Sequence, residues 1–350
     1  MLTRRACRPR KKASLLAAAG VACVAVSATT ITGAAAAVSR LPGPGPGGRA
    51  QASASRPRCN AGPEYQTMAH RLARALGAAM RSRFTSTDPA YDPFQSVSLS
   101  VSDDSLELTC WYHSTRLNYS ASAVKATILA ALLLMAQDER RGLGSWEKNE
   151  AWLMITQSDN AAATALWDHV GLARLQHFLD RAKMTQTELN TWGAWGLTEI
   201  TPHDETVLLR LLKSPDRVLT NRSRDYELDL MSHVISAQAW GVRAGGQKYF
   251  TWHIKNGWAP LPDPDRSAWV VNSIGCFLHQ KFGYTIVVLT RDNPASGLSY
   301  GIATIEKIAR VINRALVPSA ISSWPESAPP AVAGLRPVLR QVLPARPGRG

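Results

Sequence analysis

The chain has 350 residues, of which 45% are hydrophobic and 19% charged, a globular composition with room for one large core. Its formal net charge of +14 sits at the ends: ten Lys/Arg and no acid in residues 1–58, four Arg and one Glu in 316–350, and only +1 between them. A nearly neutral centre with basic tails excludes a broad phosphate-binding face, so no nucleic-acid partner is expected.

Arg4, Arg5, Arg8, Arg10, Lys11 and Lys12 precede an Ala-rich apolar run, Ala13–Val38, that closes on Ala35-Ala36-Ala37. This is the layout of a secretory signal peptide, residues 1–37, and it predicts a secreted or extracytoplasmic protein. The run is long enough to span a bilayer, so an uncleaved N-terminal anchor is the one expected route to a membrane. Residues 38–58 read as a flexible linker, 59–316 as one domain and 317–350 as a disordered Pro-rich tail. Export leaves Cys59, Cys110 and Cys276 in an oxidising compartment. A Cys59–Cys110 disulfide is expected, with Cys276 a buried thiol, although an odd count leaves the pairing open.

In the domain, Met68, Leu72, Leu76 and Met80 recur every four residues and predict a helix over about 62–83. Residues 96–102 and 105–111 alternate around Asp103-Asp104 and predict a hairpin. Helical patterns dominate from about 122 to 245. Strands are expected at 249–254, 266–275 and 283–290, and an amphipathic helix at about 299–315. The two ends of this order must share a sheet. The predicted fold class is therefore α+β: an antiparallel sheet flanked by N- and C-terminal helices, with an inserted helical subdomain and a cleft where the halves meet.

Three short motifs carry chemistry. Ser122-Ala123-Val124-Lys125 puts a hydroxyl and an amine one turn apart, so that a buried lysine can take the serine proton. A second S-x-x-K, starting at Ser145, lies in a polar stretch and reads as a helix N-cap. Ser158-Asp159-Asn160 offers a second hydroxyl and an amide. Lys255-Asn256-Gly257 ends a strand, with a lysine for a carboxylate and a glycine that lets a backbone lie close.

In this order and spacing, the motifs resemble the S-x-x-K, S-D-N and K-T-G set of class A β-lactamases and penicillin-binding proteins. The resemblance covers about 62–315. It implies a serine hydrolase with Ser122 as acylated nucleophile, Lys125 as general base and Ser158 as proton shuttle. Asn160, Lys255, Asn256, Gly257 and Trp258 would bind substrate, the backbone N–H groups of Ser122 and Trp258 forming an oxyanion hole. The implied partner is a small molecule, a β-lactam or cell-wall peptide, handled by a monomer without metal or cofactor.

Three departures bear on activity. Asn256 stands where the family has Thr or Ser, and Trp258 is bulky enough to narrow the cleft. The stretch resembling the omega loop, about 185–202, lacks the E-x-x-x-N that activates the deacylating water in class A enzymes; Glu188 and Glu199 are the local candidates, and Trp195 is expected to line the groove. Slow β-lactam turnover follows. A D-Ala-D-Ala carboxypeptidase uses the same groups and remains the alternative, as does a non-catalytic binding protein. The G-x-S-x-G at 297–301 has no His downstream, which excludes an α/β-hydrolase triad. The sequence contains no H-E-x-x-H and no Cys/His ligand cluster.

Overall fold

The computed structural model describes residues 56–81, 96–246, 248, 250–260, 268–279, 282–293 and 297–316. The expected signal peptide, the linker before Arg56, the end of the first helical pattern at 82–83 and the Pro-rich tail lie outside the described residues.

Strand β1 (Arg58–Asn60) leads through a 3-10 turn into helix α1 (Gln66–Arg81). The hairpin β2 (Val97–Asp103) and β3 (Leu108–Tyr112) follows. Its turn is held by Asp103 Oδ1, which accepts from Ser105 N at 2.9 Å, Ser105 Oγ at 2.6 Å and Leu106 N at 3.3 Å. Leu106 therefore sits in this turn rather than in the strand. After β4 (Asn118–Tyr119), a 3-10 turn over Ala121–Val124 runs into helix α2 (Lys125–Asp138). The helical insertion continues with α3 (Ser145–Trp152), a π turn over Leu153–Gln157, α4 (Asn160–Val170), α5 (Leu172–Ala182), the short strand β5 (Glu199–Ile200), α6 (Pro202–Lys213) and α7 (Asn221–Ser232). Strands β6 (Thr251–Pro260), β7 (Trp269–His279) and β8 (Phe282–Asn293) and helix α8 (Gly297–Ala315) complete the domain.

The six-stranded sheet has the order β1-β3-β2-β8-β7-β6 with every neighbouring pair antiparallel, so β6 is an edge strand. One face packs on α1 and α8 through Leu72, Leu76, Leu99, Val101, Ile286, Ile305 and Ile312. The other carries the helical insertion through Ile274, Cys276, Val287 and Leu289. Helix α2 runs through the insertion and is buried almost all round, so it carries no amphipathic stripe. The alternation in β2 has a second meaning: Ser98, Ser100 and Ser102 are as buried as the valines, because the helical insertion covers that face as well.

Cys59 and Cys110 face one another in the β1–β3 register and are disulfide-bonded, while Cys276 is a free buried thiol among the described residues. Cys59 lies on a strand the composition of the linker concealed. Ser145 is the first residue of α3 rather than its cap: Gly144 is the N-cap, and the Glu147 carboxylate accepts from the Gly144 N–H at 2.7 Å. The G-x-S-x-G opens α8, where Gly301 lies so close to Val271 that a Cβ would stand 2.5 Å from that side chain. Its glycines serve helix–sheet packing.

Candidate active site

Ser122 lies on the 3-10 turn between β4 and α2. The residue before it, Ala121, is held at φ +46°, a left-handed conformation that a non-glycine residue adopts only when its surroundings impose it. They do so from two sides. Ser120 N donates to Thr198 O at 2.8 Å, next to the β4–β5 pairing of Tyr119 with Glu199. From the sheet, Asn272 Nδ2 donates to Tyr119 O at 2.8 Å and Ser120 O at 3.1 Å. Gly257 on the edge strand completes the clamp: a Cβ there would lie 2.5 Å from Ala123 N and 2.8 Å from Ser122 N. Only glycine lets β6 approach the turn so closely. As an edge strand, β6 also points alternate backbone N–H groups away from β7 and toward this turn.

Four further side chains meet about one helical turn from Ser122. Lys125 Nζ donates to Ser158 O at 2.6 Å, Ser158 Oγ at 3.2 Å and Asn160 Oδ1 at 2.8 Å. Lys255 Nζ donates to the same Ser158 Oγ at 2.9 Å and to Asn256 O at 2.9 Å. Ser158 is presented by a left-handed residue, φ +58°, at the junction of the π turn and α4, where Asp159 caps the helix by accepting from Ala162 N at 2.8 Å. Burial brings the Lys125 amine down to about 7, against the opposing pull of Asp159. Burial, and then the neighbouring Lys125, hold Lys255 well below the ordinary lysine range. A hydroxyl bridged by two amines, one of which gains and loses its proton near neutrality, is a proton relay.

The structure thus brings Ser122, Lys125, Ser158, Asn160, Lys255 and Gly257 to one place, and it revises two expectations, those for Asn256 and Trp258. The Asn160 carbonyl is spent on Lys125, which leaves its N–H₂ for a ligand. Asn256 is not presented to the cleft: its Nδ2 donates to Gln238 O at 2.8 Å and Trp240 O at 3.2 Å, and its Oδ1 accepts from Ser273 Oγ at 2.6 Å. Its side chain leaves β6 on the face opposite Lys255, as alternation requires. Trp258 lies on that same opposite face, against Trp240 at a ring separation of 5.7 Å, so only its backbone remains beside Ser122. Its ring does not narrow the cleft.

The omega-like segment brings Trp195, expected to line the groove, onto the lysine itself. The Trp195 ring covers Lys125 Nζ at 4.7 Å, and its Nε1 donates to Thr164 Oγ1 at 3.0 Å. Glu188 and Glu199 face each other across a backbone bridge, and neither carboxylate is hydrogen-bonded to Lys125 or Ser122. Burial, then Glu188, raise the Glu199 carboxyl, while Arg291 opposes them. An aromatic face therefore occupies the position over the lysine.

A family model described as the Beta-lactamase enzyme family matches residues 148–316. Among solved structures, the chain is similar to PBP-A, with 19% identity, a TM-score of 0.56, and coverage of 70% of this chain and 96% of that one. It is similar to a β-lactamase from Sphaerobacter thermophilus, with 19% identity, a TM-score of 0.56, and coverage of 69% and 97%. It is also similar to the TLA-1 extended-spectrum β-lactamase, with 14% identity, a TM-score of 0.58, and coverage of 70% and 99%. No curated protein sequence matches the chain.

Proposed function

We propose that the chain, which matches the Beta-lactamase enzyme family model over residues 148–316 and has a fold similar to those of PBP-A and a β-lactamase, is a serine hydrolase of class A β-lactamase type that forms an acyl-enzyme on Ser122 with a β-lactam amide and releases it slowly. The observation that carries this reading is the buried Lys125–Ser158–Lys255 bridge one helical turn from Ser122, with Lys125 near 7.

Neutral Lys125 takes the Ser122 proton as the hydroxyl attacks the amide carbonyl. The developing oxyanion is held by backbone N–H groups of the turn and the β6 edge. Ser158 passes a proton to the leaving nitrogen, and Lys255 keeps that hydroxyl oriented. The Asn160 N–H₂ steers the acyl group. Deacylation then needs a water and a base, and the omega-like segment, which in class A enzymes carries the Glu that activates that water, here presents Trp195 over Lys125. The same feature favours a second reading, a D-Ala-D-Ala peptidase with a long-lived acyl-enzyme, and a PBP-A variant has been solved as an acyl-enzyme with penicillin-G. The Cys59–Cys110 disulfide supports action outside the cytoplasm, as does the N-terminal sequence.

Intact-mass spectrometry of the protein with a penicillin, beside Ser122→Ala, tests the reading. A covalent adduct on the wild type, absent from the variant and persisting for minutes, is the expected result. A folded wild type that takes no adduct from several β-lactams, and releases no D-Ala from a D-Ala-D-Ala peptide, would sink it.

A further inference from the structure

A second cavity, of about 490 Å³, opens beside the far end of β6, on the face opposite Lys255. Its walls carry Trp240, Arg243, Lys248, Trp252, Glu306 and Arg310. The one acid among these is already taken, since Arg310 Nη2 donates to Glu306 at 2.8 Å. Arg243 and Lys248 have no carboxylate partner among the described residues. The Arg243 guanidinium lies over the Trp252 ring at 4.5 Å, and its Nη1 donates to Ala239 O at 3.2 Å, so this cation is fixed before any ligand arrives. The loop that brings it there is pressed on α8: Gly245, at φ +79°, lies so close that a Cβ would stand 3.1 Å from Arg310.

The cavity and the site already described share the edge strand β6 and the loop tied to it. Trp240 lines the cavity wall, packs at a tilt against Trp258, and accepts through its carbonyl a hydrogen bond from the Asn256 amide. Along β6, Trp252 precedes Gly257 by five residues, about 17 Å at strand rise. That distance is beyond a compact bicyclic lactam bound at Ser122 and within the span of an extended peptide of about five residues.

We propose that this cavity is a binding subsite for the carboxylates of an acidic peptide acyl donor. Arg243 and Lys248 take the charge, and Trp240 and Trp252 cover the peptide's apolar stem. The assignment deepens the acyl-enzyme reading of Ser122 and names its substrate class, whereas the binding itself needs no acylation.

The test is fluorescence anisotropy of a fluorescein-labelled tetra-glutamate peptide titrated with full-chain Ser122→Ala, beside the tetra-glutamine peptide. The glutamate peptide is expected to bind at least about tenfold more tightly, the weight of one charge-assisted hydrogen bond. Arg243→Gln/Lys248→Gln should remove that difference, and Lys248→Glu alone, a change at an exposed side chain, should reduce it. Equal binding of the two peptides, or glutamate binding that both variants retain because the basic termini carry it, would overturn the proposal. Penicillin adduct formation, measured on the same substitutions with Ser122 intact, should be unchanged. Failure of that adduct in every protein would count against the acyl-enzyme reading and leave the peptide result to stand or fall separately.

Discussion

Replacing Trp195 by Glu puts a carboxylate where an indole now covers Lys125. At the 4.7 Å that separates the ring centre from Nζ, a unit charge pair in a medium of effective dielectric about 20 is worth about 3.5 kcal/mol. That is enough to lift the Lys125 amine from about 7 toward about 9–10. The neutral fraction at pH 7 then falls from about one half to below about 1%, so acylation by penicillin should slow by about 100-fold if Lys125 is its base. Deacylation should move the other way. A carboxylate beside the acyl-serine activates water, and general-base catalysis contributes about 10²–10⁴-fold. The fold loses a cation–π contact of about 0.5–2 kcal/mol and the Nε1–Thr164 hydrogen bond, a loss a stable domain survives. The assay is the time course of adduct mass after rapid mixing, on wild type, Trp195→Glu and Trp195→Ala. Slower formation and faster decay in Trp195→Glu alone is the expected pattern. An adduct that forms at wild-type rate and lasts as long as in the wild type would refute the reasoning, because the ring would then not stand over the catalytic amine.

Gly257→Ala should reduce acylation by more than about 100-fold with a modest loss of stability, since its Cβ meets the backbone of Ala123 and Ser122 rather than a side chain that could swing away; adduct formation rates beside a thermal melt check this. The wild-type acylation rate should rise with pH through about 7 as Lys125 loses its proton; a rate flat between pH 5 and 9 would assign the proton to another group. Glu205 and Glu227 are fully buried, and none of their four carboxyl oxygens has a hydrogen-bond partner. Burial, then Asp204, push Glu205 up to about 8, and burial, then Glu205, raise Glu227 well above the ordinary carboxyl range. Both therefore bind protons more tightly folded than unfolded. The contribution of Glu205 to stability is complete below about 4.5 and is lost as pH rises through about 8, and that of Glu227 is likewise lost as pH climbs above its unfolded value, so Glu227→Leu should raise the melting temperature at pH 8–9 and change it little at pH 5. An equal shift at both pH values would mean that packing, not ionisation, governs the site.

The fold was largely legible because its signals are local. A four-residue apolar repeat gave α1, a period of two gave β2, and turn residues separated them. What was not legible depends on partners distant in sequence. β1 is three residues long and is a strand only because β3 lies beside it. The serine face of β2 looks solvent-exposed until the helical insertion covers it. The same division holds at the candidate site. Ser122 and Lys125 share a turn, and their spacing became informative through the order of the two later motifs, whereas the roles of Asn256 and Trp258 follow from which face of β6 meets the Trp240 loop.

Asn256 shows how a departure from a motif acquires a physical reason. A Thr or Ser hydroxyl there brings one donor. The amide brings two, and both are used on the carbonyls of Gln238 and Trp240, while its oxygen accepts from Ser273, whose own Oγ accepts from Val242 N at 2.9 Å. The loop that carries Trp240 and Arg243 is thus tied to the edge strand through one side chain. The packing depends on Gly241 at φ +83°, where a Cβ would stand 2.2 Å from Ser273 Oγ. The group that would have met a substrate carboxylate at the cleft instead fixes a loop whose cations face a second cavity about 17 Å along the strand. Recognition of a negatively charged substrate is then shifted outward from Ser122, which is what a longer acyl donor requires and a compact β-lactam does not use.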